Sequence, residues 1–423
     1  MPPFRLVADA NMPHAEAALG RFGVVERVPG RRITRAALAS ADALFVRSVT
    51  RVDAALLEGT PVRFVGSATA GTDHVDAAWL EARGIAFAAA PGSNAAAVVD
   101  YVLAALLATL VLRGEGLAHR DGRPRMLGVV GVGAVGGRLA RRAEALGLRV
   151  LRCDPPLAER LRAAGRPGEA ARFASLAEVL READVVSLHT PLTAGGPYPT
   201  RGLVDARALA AMRSDAWLVN AARGGVVEGA ALGRALTAGT LAEAILDVWE
   251  GEPAPDPALV RAARLATPHV AGYAYDSKVD GTRMVADAFA AWLAAQGHPA
   301  TPWDTGPALA CVPPPAVVPP PPPDAPPGAP EAAAWLDALV RQAYDVRADD
   351  ARFRAAMLGA PNAAARADAF TALRAHYPER RLLARVPLDE AVVPPALRRA
   401  VREGLGFAVP SEPAPGHRAA QAP

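Results

Sequence analysis

Short apolar runs alternate with Ala- and Leu-rich stretches of helical spacing through the first three hundred residues. FRLVAD (Phe4 to Asp9), DALFVR (Asp42 to Arg47), VRFVGS (Val62 to Ser67) and IAFAAA (Ile85 to Ala90) read as buried strands. Between them, stretches such as AALLEG and DAAWLEARG carry helical periodicity. Strands separated by helices pair in parallel, because each connection must cross back over the sheet. A second series begins at MLGVVGVG and continues through LRVLRCD, ADVVSLHTP, AWLVNAARG, LAEAILDVWEGEP and ARLATPHVAGY. It predicts a six-stranded, doubly wound sheet of Rossmann type. The stretch separating the two series, Ala95 to Leu112, is almost wholly apolar and close to membrane-span length, yet it contains Asp100 and Tyr101. It predicts a buried helix rather than a span. A further helix is expected over Val279 to Ala295.

From Pro313 to Pro330, 11 of 18 residues are proline. Such a run favours polyproline II, a semi-rigid spacer that builds no core, with a ligand for a proline-binding module as the other reading. Beyond it, AAAWLDALVRQAYDVRADDARF and AFTALRAHYPERRLLARVPL predict a small α+β domain over 331–409. Residues 410–423 are polar and Pro/Ala-rich, and are expected to be disordered.

Composition narrows the function classes. A formal charge of +3 on 423 residues makes no case for nucleic acid. Lys278 is the only lysine among 46 basic residues, a bias that fits genome composition better than a phosphate-binding surface. Cys153 and Cys311 are too few for a disulfide framework or a thiolate metal site, and no metal is expected. MPPFRLVADANMP lacks the charged-then-apolar order of a secretory leader. A soluble cytoplasmic protein without membrane partners is the expectation.

Gly131, Gly133 and Gly136 form G-x-G-x-x-G between the strand MLGVV and the helical stretch GRLARRAEALG. The pattern alone is a common turn. The strand-turn-helix context, which lets backbone amides approach a pyrophosphate at a helix N-terminus, makes it a dinucleotide site. Asp154 closes the next strand, where a carboxylate would accept the adenosine ribose hydroxyls and repel a 2′-phosphate. NAD is therefore favoured over NADP.

Three later segments, NAARGGVVE, ILDVWEGEP and TPHVAGY, each end or follow a predicted strand and can converge at the carboxyl edge of the sheet. Interconverting a 2-hydroxy acid and a 2-keto acid needs a cation for the carboxylate and carbonyl, and Arg223 offers a planar fork. It needs an acid/base near neutral pH, which His269 supplies. It also needs a carboxylate to orient that imidazole, for which Glu250 and Glu252 compete. The chain has eight His, with His74 and His189 in other loops, so the ordered triple carries the assignment rather than any single residue.

GVGAVGGRL, NAARGGVVEGAAL, LDVWEGEP and TPHVAGY together resemble the D-2-hydroxyacid dehydrogenases over nearly all of residues 1–300. The resemblance implies Arg223, Glu252 and His269 as the active site, selecting Glu252 over Glu250. It also implies Asp247 near the nicotinamide carboxamide, with Thr190 and Gly272 around the cofactor. It further implies a flavodoxin-like substrate (lid) domain from residues 1–98 and 273–306, interleaved with an NAD-binding domain over 99–272. ADANMPHAEAALGRFG, ALFVRSVTRVD, FVGSATAGTDHVD, CDPP, HTPLTAGGPY and AYDVRADD are similar to one branch of that family. Its substrate is a phosphorylated four-carbon 2-hydroxy acid on the route to pyridoxal 5′-phosphate. That similarity implies substrate contacts from Ser48, Thr69 and Tyr273, and a homodimer joined through the C-terminal domain. Arg47, beside Ser48, is a candidate for the substrate phosphate, since a phosphorylated acid needs a second cation. The stretch LAERLRAAGRPGEAARF after Asp154 and the proline run depart from the family pattern. Two other readings remain: a sister dehydrogenase acting on 3-phosphoglycerate or another 2-hydroxy acid, and an NAD(H)-sensing, corepressor-like binding protein.

Overall fold

The computed structural model describes residues 3–298 and 302–409; the tail expected to be disordered, 410–423, lies outside the described residues. The first sheet has five parallel strands: β1 (Phe4–Asp9), β2 (Gly23–Val28), β3 (Ala43–Val46), β4 (Phe64–Ser67) and β5 (Ala86–Ala89). They run in the order β2-β1-β3-β4-β5, the flavodoxin-like arrangement. Four of these strands are apparent in the hydrophobic pattern. The fifth, β2, is an edge strand whose Val24 is exposed and whose Glu26 and Arg27 interrupt the apolar run.

The helix α1 (Ala95–Arg113) follows and is buried almost all round, with 83% of its most apolar window inside the protein. Its polar groups are satisfied within the core. Asp100 accepts from Arg142 Nη1 (2.6 Å) and from the Leu383 amide (3.0 Å), and the Tyr101 hydroxyl lies 2.9 Å from Thr267 Oγ1. A helix that is apolar on every side packs between layers instead of covering one, and α1 lies between the second sheet and the C-terminal helices.

All six strands expected in the second series form: β6 (Met126–Val130), β7 (Arg149–Cys153), β8 (Val185–Leu188), β9 (Trp217–Asn220), β10 (Glu243–Leu246) and β11 (Leu265–Ala266). Their order is β11-β10-β9-β8-β6-β7, all parallel. The chain order reverses at β6, so a crevice opens beyond the carboxyl ends of β6 and β8, and α2 (Gly136–Ala145) starts beside it. After β11 the chain returns to the first sheet as α3 (Tyr275–Ala294), which begins a turn earlier than its apolar spacing suggests. Phe289 on α3 meets Phe45 and Phe64 edge-on or tilted, at 5.3 and 5.0 Å between centroids.

The C-terminal region is helical: α4 (Pro330–Ala343), α5 (Val346–Gly359) and α6 (Ala363–Ala375), then short turns. The β part of the expected α+β domain reduces to one bridge, Pro387 to Ala408. Pro387 lacks the N–H a ladder requires, and the residues before it are engaged elsewhere. Arg381 pairs with buried Asp276 at 2.8 Å, the Arg380 carbonyl accepts the Tyr275 amide, and Arg380 Nη2 donates to the Ala271 carbonyl at 2.7 Å. The segment 380–383 thus wedges into the place where the chain passes from the second sheet back to the first. Nor does the proline-rich stretch stand off as a free spacer. Gln342 exchanges two hydrogen bonds with Val318, the Trp335 indole donates to the Pro320 carbonyl, and the Ala118 amide donates to the Gly328 carbonyl. Proline removes donors but leaves carbonyls, and the side chains of α4 supply their partners. One apolar core takes in α1, β6 and α4 together with Val386, Val401 and Phe407.

Candidate active site

The carboxyl ends of β6, β8, β9 and β10 and the first turn of α3 border a cleft of about 570 Å³ between the two sheets. On its nucleotide side, Gly131 has φ 87°, and a Cβ there would press on the His189 carbonyl. A Cβ on Gly136 would run into the Gly131 carbonyl, whereas Gly133 faces open space beside Arg138 and Arg141. Close approach at two glycines with open space at the third suits a pyrophosphate laid over the turn. Asp154 sits beside this turn at the end of β7. Its carboxylate accepts the Val132 amide (2.8 Å) and caps the next helix through the Leu157 amide (2.9 Å), leaving lone pairs for hydroxyl donors. Thr190 borders the cleft, and its buried hydroxyl has no partner among the described residues. These features fit a dinucleotide.

His189 also borders the cleft, with Nε2 2.9 Å from Ser187 Oγ. Burial pushes its pKa down to about 4. Unfolded chains would bind a proton at this ring below about pH 6.5 that the folded protein refuses. Its contribution to stability is therefore fully present above that pH and is lost as the pH falls towards 4. Replacement His189→Gln should remove on the order of 2 kcal/mol of this acid sensitivity, less than the full shift because the ring borders the cleft. Denaturant midpoints at pH 7 and pH 5 test this: an unchanged difference between the two would refute it.

Asp247, fully buried, organises this edge of the cleft. It accepts Thr267 Oγ1 (2.7 Å) and the amides of Val270 (2.8 Å) and Ala271 (2.9 Å), and its carbonyl takes the His269 amide. Its carboxylate holds the turn that places His269 at φ 58°, a conformation rare outside glycine and asparagine. Each such bond to a carboxylate is stronger than a neutral one. His269 Nδ1 lies 2.8 Å from Glu252 Oε2, while Glu252 Oε1 accepts the Trp249 amide at 2.8 Å. Glu250 points away and accepts the Gly229 amide. Burial alone would raise the Glu252 pKa. The His269 charge and hydrogen bond, the Trp249 N–H and the Arg374 charge outweigh it and hold the carboxyl below its usual range.

Arg223 enters from the end of β9, where Asn220 ties the turn by accepting the Ala222 amide and donating to the Arg223 carbonyl. Its Nε donates to Asp73 Oδ2 (2.9 Å) and its Nη1 to the Ala222 carbonyl (2.8 Å). A Cβ on Gly224 would overlap the Trp249 backbone, so glycine lets the loops of Arg223 and Glu252 close on each other. Arg223, Glu252 and His269 all line the cleft.

The first-sheet wall carries Arg47, Ser48 and Thr69, with Tyr273 at the crossing that leads into α3. Thr69 Oγ1 donates to the Gly71 carbonyl and lies 2.9 Å from Ser67 Oγ. Gly272 packs where a Cβ would strike Asn94. Of the cofactor set, Thr190, Asp247 and Gly272 line the cleft, whereas Gly131, Gly133, Gly136 and Asp154 lie around its nucleotide end.

Residues that the motifs do not point to complete the site. Asp73 pairs with Arg223. Ser277 and Lys278 sit on the first turn of α3, and Arg374 reaches in from α6. Lys278 and Arg374 lie 5.2 and 5.5 Å from the centre of the Tyr273 ring. Only Lys278 had a signal, as the single lysine of the chain.

Residues 112–271 match the NAD binding domain of the D-isomer specific 2-hydroxyacid dehydrogenases, and residues 328–392 match a domain family of unknown function. The chain is 49% identical over 405 residues to erythronate-4-phosphate dehydrogenase of Salinibacter ruber, covering 96% of this chain and 99% of that one. It is 46% identical to the enzyme of the same name from Azotobacter vinelandii, covering 94% and 98%. Among solved structures, the TT0316 protein of Thermus thermophilus superposes with a TM-score of 0.55 at 30% identity, covering 70% of this chain and 98% of that one. A glyoxylate reductase from Paecilomyes thermophila gives 0.56 at 25% identity, covering 71% and 98%.

Proposed function

Because the chain belongs to the D-isomer-specific 2-hydroxyacid dehydrogenases, in the branch of the erythronate-4-phosphate dehydrogenases, we propose that it oxidises 4-phospho-D-erythronate to 2-oxo-3-hydroxy-4-phosphobutanoate. The product feeds pyridoxal 5′-phosphate synthesis. Its cofactor is NAD, which when bound accepts the hydride leaving C2. The observation that carries the chemistry is the Glu252–His269 contact at 2.8 Å on the same cleft as Arg223.

Arg223 takes the substrate carboxylate and the C2 oxygen with the guanidinium N–H groups that Asp73 and Ala222 leave free. His269 Nε2 removes the C2 hydroxyl proton while Nδ1 stays fixed on Glu252, whose charge stabilises the imidazolium as it forms. Glu252 in turn is held by the Trp249 amide, so base and orienter are in place before substrate arrives. Ser48, Thr69 and Tyr273 line the substrate end, and Thr190, Asp247, Gly272 and Asp154 surround the dinucleotide.

The test is NADH absorbance on mixing purified protein with NAD and 4-phospho-D-erythronate, with 3-phosphoglycerate in parallel and a 2-keto acid added to re-oxidise retained cofactor. Selective turnover of phosphoerythronate supports the proposal. Turnover of 3-phosphoglycerate alone would transfer the protein to a sister reaction, and silence with both would favour a sensor. We also propose that it works in the cytoplasm as a homodimer joined through residues 331–409. Light scattering should give about twice the 43.7 kDa chain mass, and a monomer at micromolar concentration would refute this.

A further inference from the structure

The substrate end of the cleft holds more positive charge than a carboxylate and a hydroxyl require. Several enclosed arginines elsewhere are paired, Arg381 with Asp276, Arg347 with Asp337, Arg142 with Asp100 and Arg125 with Glu115, whereas Arg380 is held by the Ala97 and Ala271 carbonyls and the Tyr344 ring. Arg47 and Lys278 have no carboxylate within ion-pair distance among the described residues. Among the described residues, Arg47 Nη1 is buried without a hydrogen-bond partner, and so is the hydroxyl of Ser277, a residue only 4% exposed. All three border the same cleft. Two uncompensated cations beside an unpartnered buried hydroxyl are costly in a folded protein unless an anion joins them. They also sit at the start of α3, a 20-residue helix without a side-chain cap, where the Arg380 carbonyl takes the Tyr275 amide and the amides of Asp276 and Ser277 add to the same field.

The identity of the residue adds to the case. This chain uses arginine at every other basic position, yet Lys278 is a lysine. An ammonium is a compact charge with three rotatable donors, suited to a tetrahedral dianionic head, whereas a guanidinium suits the planar carboxylate that Arg223 faces. Resting on the substrate reading above, we propose that Lys278, with Arg47 and Ser277, forms the cradle for the terminal phosphate of the substrate. Lys278 is then the residue that separates phosphorylated from unphosphorylated 2-hydroxy acids.

The replacements Lys278→Met and Lys278→Arg test this by the ratio of kcat/KM on 4-phospho-D-erythronate to that on D-erythronate. The ratio should fall about 100-fold in the methionine variant and recover partly in the arginine variant. A parallel loss on both substrates, with the ratio intact, would show that Lys278 only supports Tyr273 and the helix start. The single lysine permits a second measurement that survives misfolding of the variants. Reductive methylation with ¹³C-formaldehyde gives the wild-type, NAD-saturated enzyme one dimethyl-lysine resonance. Inorganic phosphate should shift it, and chloride at equal ionic strength should not. If phosphate leaves it unmoved while the enzyme oxidises phosphoerythronate, the cradle is wrong. A shift in an enzyme inert to phosphoerythronate would overturn the substrate reading and keep the anion site.

A pH profile adds an independent check. Burial and the Arg47 charge, opposed by Glu379 and reinforced by Arg380, push Lys278 down to about 8. Tyr273 and Arg374 complete its surroundings. Above that pH the ammonium is lost, so KM for the phosphorylated substrate should rise between about pH 7 and 9 while KM for D-erythronate does not follow. Identical profiles for the two substrates would contradict the assignment.

Discussion

Replacement of His269 by Asn is expected to lower kcat by about 10²–10⁴-fold while leaving the dissociation constant of NAD within twofold. Asparagine is the informative choice because His269 has φ 58°. Among residues with a β-carbon, asparagine and aspartate accept that conformation best, so the turn held by Asp247 persists and only the titrating ring is lost. An alanine variant would combine the chemical loss with backbone strain. The Trp249 amide still satisfies one oxygen of Glu252, which limits collateral rearrangement. Stopped-flow absorbance at saturating substrate reads kcat, and fluorescence titration reads NAD binding. Turnover within tenfold of wild type would show that the proton leaves by another route.

Arg223→Lys should reduce kcat/KM for the hydroxy acid by about 10³-fold, with both constants affected. The guanidinium serves two masters: Nε is held by Asp73, Nη1 by the Ala222 carbonyl, and the remaining N–H groups face the cleft. A lysine ammonium can satisfy Asp73 or reach the substrate, but it cannot present a fixed fork to both. Because Asp73 belongs to the first sheet's side of the cleft and Arg223 to the second's, the pair also spans the two halves. Steady-state kinetics on phosphoerythronate decide. A lysine variant within fivefold of wild type would reduce Arg223 to a strut between the halves.

Much of this architecture is readable before any coordinates. The four central strands of the second sheet, β6, β8, β9 and β10, are buried along their whole length, so each appears as a largely apolar run, and turn glycines mark the crevice. Strand β2 is not legible, because an edge strand with Val24 exposed lacks that run. The β part expected of the C-terminal domain is reduced to one bridge, and the residues before Pro387 instead serve Asp276 and the Ala271 carbonyl, long-range partners that no local pattern announces. Among site residues, Arg223, Glu252 and His269 lie in motifs of recognisable shape. Asp73, Ser277 and Arg374 reach the cleft from three widely separated segments of the chain, and only the fold joins them. Glu250 and Glu252 could not be separated by spacing; the structure sends one to the Gly229 amide and the other to His269.

The wedge of Arg380 to Leu383 has a consequence for how such a chain can be altered. It grips the crossing between the two halves from outside, through the Ala271 carbonyl, the Tyr275 amide and Asp276, while α4 behind it shares one apolar core with α1. The C-terminal quarter is therefore a keystone rather than an attachment. Shortening the chain at the proline-rich stretch would strip an apolar face from α1 and release the crossing in the same stroke. Recombination between relatives would have to carry α1, the crossing and the C-terminal helices as one heritable block.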